Sequence, residues 1–426
     1  MIRKLMSSEF EQKLEKYAEV ILKVGLNLQP GQRLLIGGPK LDADGVPLES
    51  APLVRLMTKK AYQMGARLVD VVWGDVLLRK IRFQNAPKDS IEEYPKWRVE
   101  SRYDISKAGD ANVNFSSPNP DLLSEVDPEL VSKFQKSYYK QMKHVYDLLT
   151  ANAFNWLIVP FPNDDWADKL FPDVPQNSRK DKLWDLIFEI CLINHEDPIS
   201  AWEKHNIDLS KRCNYLNQKQ YTALKLTAPG TDLMIGLPKN HIWDGGSTIA
   251  QNGITFTANL PTEEVYTMPH KDKVDGVVST SKPVYYGGYT VENCRFKFSK
   301  GRIVEATADK GETYLLKTLE TDEGACRLGE IALVPHSSPI SQSGMLFYSM
   351  LIDENASNHI ALGQAYRESL KGGEALTDEE FMAAGGNNSL IHLDFMIGSG
   401  EMNVDGISDD ETTEPIMRNG EWVFDV

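Results

Sequence analysis

The sequence predicts an α/β protein, with an N-terminal α/β domain on a largely parallel sheet and a C-terminal α+β domain. Two observations predict it. Helix-period and strand-like segments alternate through the first half, and from about Tyr221 the texture turns mainly β, with short strand-like runs between glycine-rich turns. A length of 426 residues allows more than one core, and the change of texture places a boundary near residue 215, dividing the chain into 1–215 and 216–426.

The elements follow in order. Phe10 to Val24 carries apolar residues at helical intervals and ends at Gly25, a residue suited to the left-handed helix stop. Gln29 to Gly37 reads as a turn and short strand, Ala51 to Met64 as a helix, and Ala66 to Trp73 as a β-rich run. Ser132 to Ala153 is a second long helix, Asn155 to Pro160 a strand, and Lys182 to Leu192 another helix. The proline-rich, aromatic stretch from Phe161 to Arg179 is expected to be an irregular connection. Beyond Tyr221, strands are expected at Thr222–Thr227, Gly253–Thr257 and Gly276–Thr280, and helices at Thr313–Thr321 and around His359–Leu370.

Composition narrows the class. Hydrophobic residues at 41% and charged residues at 25% are ordinary for a soluble globular chain, and no apolar run approaches the ~20 residues of a membrane span. A formal net charge of -15 disfavours nucleic acid and anionic membrane surfaces as partners. Cys191, Cys213, Cys294 and Cys326 form no CxxC, so neither a disulfide framework nor a thiolate zinc site is expected, and the N-terminal segment has no signal-peptide pattern; both readings point to the cytoplasm.

The chemistry is suggested by polar residues in apolar surroundings. In SLIHLDFMIG, His392 and Asp394 are two residues apart, so on a strand they leave one face while Leu393 and Phe395 enter packing. Glu263 and Glu264 follow Asn-Leu-Pro-Thr and, taken alone, read more readily as a pair on a surface turn than as ligands. Glu330 precedes an apolar run, where an edge carboxylate reaching solvent is the alternative. Glu354 and His359 are five apart, which suits a turn leading into a helix better than one helix face. Tyr366 is two helical turns beyond His359 and reads either as core or as a hydrogen-bond donor across a site. Three glutamates, one aspartate and two histidines suit zinc, cobalt and related divalent ions, so the C-terminal domain is expected to carry a metal centre. No HExxH, GxSxG or complete phosphate-binding loop is present; Gly287-Gly288 reads as a turn.

Taken together, Pro261-Thr-Glu-Glu-Val-Tyr-Thr, Arg327-Leu-Gly-Glu-Ile-Ala, Asp353-Glu-Asn-Ala-Ser-Asn-His-Ile-Ala-Leu-Gly, His392-x-Asp394 and the closing Asp409-Asp410 to Arg418-Asn-Gly-Glu-Trp-Val-Phe resemble the M29 metallo-aminopeptidases of the aminopeptidase T and aminopeptidase S type. The resemblance implies a dinuclear centre of two divalent ions (zinc, cobalt, manganese or magnesium) held by Glu264, Glu330, Glu354, His359, His392 and Asp394, with Glu330 as the bridge. It implies Tyr366 as the active-site tyrosine, and Glu263 or a carboxylate of the metal set is the candidate general base. The implied activity is release of N-terminal residues from short peptides with a free N-terminus by a metal-activated water, in a cytoplasmic homodimer. The residues alone leave two alternatives open: a metal-dependent hydrolase of another amide or ester, and a non-catalytic binding protein stabilised by metal.

Overall fold

The computed structural model describes residues 2–38, 45–286 and 289–424, with side chains from Glu9 onward; the Gly287-Gly288 turn lies outside the described residues. The chain forms two compact units, Met1–Asn206 with Ser247–Pro261, and Ile207–Gly246 with Thr262–Val426.

The first unit is built on a four-stranded parallel sheet in the order Leu68–Val71, Arg33–Ile36, Ala111–Ser116, Trp156–Pro160. Ala111–Ser116 is buried at every position, as an inner strand covered on both faces must be. The crossovers are helical. In Pro128–Thr150 the Asp127 side chain accepts the Glu129 N–H at the N-terminus, and Val131, Phe134, Tyr138, Met142 and Val145 form the buried stripe. The expected irregular stretch from Phe161 to Arg179 is instead partly helical. Asp164–Leu170 is capped by Asn163, which accepts from the Trp166 N–H, and Gln176–Ile190 begins directly after Pro175. Capping chemistry prevailed there over proline and aromatic content. Residues 247–261 belong to the same unit: the Ile158 N–H donates to Ala258 O at 2.9 Å and the Leu260 N–H to Ile158 O at 3.1 Å.

The second unit contains an eight-stranded antiparallel sheet and a four-stranded one. The larger runs Arg302–Thr307, Arg295–Ser299, Val274–Ser279, Thr231–Gly236, Ala223–Ala228, Asn403–Ile407, Thr413–Arg418, Glu421–Trp422. The smaller runs Val265–Thr267, Leu328–Leu333, His359–Gly363, His392–Met396. One apolar cluster joins them, taking Leu226, Leu233 and Phe296 from the larger sheet and Ile331, Ile360, Leu362, Leu393 and Phe395 from the smaller. Phe296 meets Phe395 edge-on with centroids 5.0 Å apart. Alternation therefore commits one face of the small sheet to packing and leaves the other for chemistry.

His359 is not on a helix. His359–Gly363 is a strand, fully buried and paired on both sides, and the helix expected around His359–Leu370 reduces to a single 3₁₀ turn at Arg367–Ser369. His-Ile-Ala-Leu-Gly is short and apolar, and pairing on both edges outweighs the helix preference of alanine and leucine.

Candidate metal centre

The polar face of the small sheet is laid out by register. Ala361 pairs with Glu330 on one side and Asp394 on the other, Gly363 faces His392, and Ala332 faces His359. Residues directly opposite one another share a face. The small residues Ala361, Gly363 and Ala332 thus leave room into which longer side chains of the flanking positions converge. Glu330 reaches this face through a β-bulge between Leu328 and Glu330. The extra residue is Gly329, where an added Cβ would lie 2.3 Å from Gln364 O and 2.5 Å from Gly363 O. The bulge lets Leu328 enter the core while Glu330, two residues on, points away from it. Glu330 is buried in a central strand, not an edge carboxylate at solvent.

The Glu263-Glu264 pair is buried as well, not on a surface turn. The Glu263 N–H donates to Asn355 Oδ1 at 2.7 Å, which ties the segment before Val265 to the 3₁₀ turn Glu354–Ala356. Asp353 fixes that turn from the other side, accepting the backbone N–H groups of Phe347 at 2.7 Å and Ser349 at 3.0 Å.

Two donor groups result, Glu264 with Glu330 and His359, and Glu330 with His392 and Asp394, each with ligand atoms within 4.8 Å of one another. His359 Nε2 lies 3.0 Å from Glu264 Oε2 and 3.4 Å from Glu330 Oε1. His392 Nε2 lies 3.8 Å from Glu330 Oε2 and 3.5 Å from Asp394 Oδ1. Glu354 is in neither group of three, but its charge acts on the same carboxylates and on His359.

The histidines are oriented from behind: His392 Nδ1 is 2.8 Å from Gln364 O and His359 Nδ1 is 3.2 Å from Ser357 O. A proton on Nδ1 given to a carbonyl leaves the Nε2 lone pair facing the carboxylates, the arrangement found behind metal-bound imidazoles. Glu264 Oε2 and Asp394 Oδ1 are buried with no hydrogen-bond partner of proper geometry despite the nearby rings. Buried acceptors aimed at one another's space without donors fit a cation.

The electrostatics agree. Burial disfavours an imidazolium at either ring, yet the facing carboxylates outweigh it, pushing His359 well above the usual histidine value and His392 up to about 9. Burial, reinforced by the charges of Glu264 and Asp394, raises Glu354 well above the usual carboxylate range, and burial raises Glu330 too. At Asp394 burial is overcome by the His392 charge and hydrogen bond, and its carboxyl is lowered. Positive charge is thus favoured throughout this space.

Tyr366 stands beside the centre, its ring 4.8 Å from that of His392. Burial, then the charges of Glu330 and Asp394, hold its hydroxyl well above the usual tyrosine value, so it stays protonated. Sequence reasoning missed Glu368, which accepts the Tyr266 hydroxyl hydrogen at 3.0 Å. Its only signal was its position two residues after Tyr366.

Comparison with known proteins shows the family of the chain. The chain is 42% identical over 419 residues to Aminopeptidase 2 of Geobacillus stearothermophilus, covering 98% of this chain and all of the relative. It is 43% identical over 414 residues to Aminopeptidase T of Thermus thermophilus, covering 97% and 99%. The solved structure of wild-type AmpT from Thermus thermophilus superimposes with a TM-score of 0.89 at 43% identity, covering 97% of this chain and 100% of that one. Residues 10–422 match the family model described as thermophilic metalloprotease (M29), and the chain belongs to that family.

Proposed function

We propose that this chain, a metal-dependent aminopeptidase acting on peptides, works with two divalent ions bridged by Glu330. Glu264 and His359 would hold one ion and His392 and Asp394 the other, with Glu354 completing the set. The observation that carries this reading is that Glu330 is shared by both donor groups and turns one oxygen toward each histidine.

Bound there, the ions would lower the pKa of a water and polarise the scissile carbonyl. The protein supplies the rest. The protonated Tyr366 hydroxyl donates a hydrogen bond to the oxygen on which charge develops. Glu263, buried next to Glu264 in the chain, or a carboxylate of the metal set would accept the proton of the attacking water and return one to the leaving amine. A free α-amine would bind one of the ions or pair with a carboxylate of the centre, which an acylated nitrogen cannot do, and this selects peptides with an unblocked N-terminus.

Nitrogen and oxygen donors without thiolate suit zinc, cobalt, manganese or magnesium. Four free cysteines suit the reducing cytoplasm. The homodimer is supported by an apolar face on the helix Val76–Asn85, where Leu77, Leu78 and Ile81 are 51%, 64% and 53% exposed. No helix of the described residues is long and apolar enough to cross a membrane.

Turnover of a leucyl peptide beside its N-acetylated twin tests the activity, using protein stripped by chelator and reloaded with each metal. Cleavage of the free peptide alone, restored with two metal equivalents per chain, is expected. Equal cleavage of both peptides would turn the reading to another amide hydrolase, and full activity at one equivalent would remove the bridge.

A further inference from the structure

Tyr366 opens the 3₁₀ turn Arg367–Ser369, and the turn is tied down at each of its residues. Arg367 Nη1 donates to Gly373 O at 3.2 Å and Leu376 O at 2.8 Å, and its guanidinium lies 4.8 Å over the Phe381 ring. Ser369 O accepts the Ile242 N–H at 2.8 Å. Between these anchors, Glu368 takes the Tyr266 hydroxyl and so reaches across to the strand Val265–Thr267, which follows Glu264 directly. The Tyr266 ring in turn meets the Tyr366 ring edge-on, with centroids 6.1 Å apart and planes at 65°. One hydrogen bond therefore closes a circuit from the turn, through one tyrosine, back to the other.

A carboxyl group is an expensive way to hold a tyrosine in that place. Burial, then the charge of Asp244, with Glu374 and Glu330 adding, push Glu368 up to about 8 against the lowering effect of the Tyr266 hydroxyl. An apolar pair would stabilise the fold at least as well. A disfavoured group held by hydrogen bonding beside a reaction centre points to a task in that centre.

We propose that Glu368 is a positioning residue: by holding the Tyr266 hydroxyl it fixes the Tyr266 ring as the wall against which Tyr366 is set, and so orients the Tyr366 hydroxyl for the reaction. The inference rests on the aminopeptidase reading and on Tyr366 as the oxyanion donor. Misplacing a reacting group by an ångström costs up to about a hundredfold in rate, and a loosened wall should cost a part of that, roughly tenfold.

The test uses the metal-loaded full chain and a leucyl peptide. Tyr266→Phe and Glu368→Ala should each lower kcat roughly tenfold with KM changed less than about twofold, while Glu368→Gln, which keeps an acceptor, stays close to the parent. In a Tyr366→Phe background the same changes should have no further effect, because the hydroxyl they orient is gone. A role in stability alone would shift Tm without that dependence on Tyr366. Unchanged kcat in Tyr266→Phe, or losses that multiply with that of Tyr366→Phe, would overturn the inference while the parent enzyme remains active. A parent that turns over no peptide overturns the aminopeptidase reading and this inference with it.

Discussion

At the scale of single residues, what a buried side chain faces separates the groups that do chemistry from those that pack. Glu330 and Cys326 are four residues apart, yet one carboxylate is shared by both donor groups while the thiol donates to Leu319 O at 3.2 Å. Glu330→Ala should therefore lose metal and lower kcat by more than the roughly 10- to 100-fold that follows from disturbing a ligand's outer partner. Cys326→Ala should leave kcat within about twofold by the same comparison. Metal content and turnover on purified, folded variants decide this, and equal losses in the two would remove the bridging role. Glu368 supplies a pH test of a different kind. Its folded pKa of about 8 lies above its unfolded value, so its contribution to stability is complete below the ordinary carboxylate range and is lost as pH rises through 8. Relative to Glu368→Gln, the parent should thus fall in Tm between pH 5 and pH 8.5. A Tm difference that does not change with pH would show that Glu368 ionises as freely in the folded chain as in the unfolded one.

The strand is the element that makes the centre possible, and it is also where sequence patterning reaches its limit. His392-x-Asp394 was legible because two polar residues alternate with Leu393 and Phe395, a period that only a strand turns into one polar face. His359 was legible as a candidate ligand but its strand was not, because His-Ile-Ala-Leu-Gly is too short and apolar for its period to distinguish strand from helix. Glu330 was legible as a candidate but not as a buried one. Plain alternation would put it on the same face as Leu328, and only the bulge at Gly329 separates them. The importance of Ala361 was invisible for a related reason: it depends on cross-strand register, which places it between Glu330 and Asp394. Ala361→Val tests that geometry. Valine is favoured in strands, so the sheet should persist with a loss of about 1–3 kcal/mol from overpacking, while the added methyl groups occupy the space where the ligands converge. Circular dichroism should stay close to that of the parent and metal content should drop. Full metal occupancy at normal affinity would show that the ligands do not meet above Ala361.

For the molecule as a whole, the sequence carried the centre better than the chain path. The candidate ligands stand in ordered motifs across the second half and all belong to one unit, whereas residues 247–261 return to the first unit through bonds to Gly25, Asn152 and Ile158, most of them between backbone groups, which no sequence pattern announces. That division has a thermodynamic consequence. Five of the six proposed ligands lie on, or next to, the strands Val265–Thr267, Leu328–Leu333, His359–Gly363 and His392–Met396, with Glu354 on the 3₁₀ turn before His359, and without cations the carboxylates of the two donor groups share a buried space. An ion that binds only the folded state adds about 2.7 kcal/mol at a hundredfold excess over Kd, and the gain belongs to the unit that holds it. Removing metal should therefore speed amide hydrogen exchange in those four strands. The parallel sheet formed by Arg33–Ile36, Leu68–Val71, Ala111–Ser116 and Trp156–Pro160 should keep its protection, because no proposed ligand lies in that unit. Hydrogen exchange read by mass spectrometry on stripped and reloaded protein separates the possibilities. Exchange that rises equally in both units would mean that they open as one cooperative body, and exchange unchanged in the four ligand-bearing strands would mean that metal contributes nothing to holding the small sheet together.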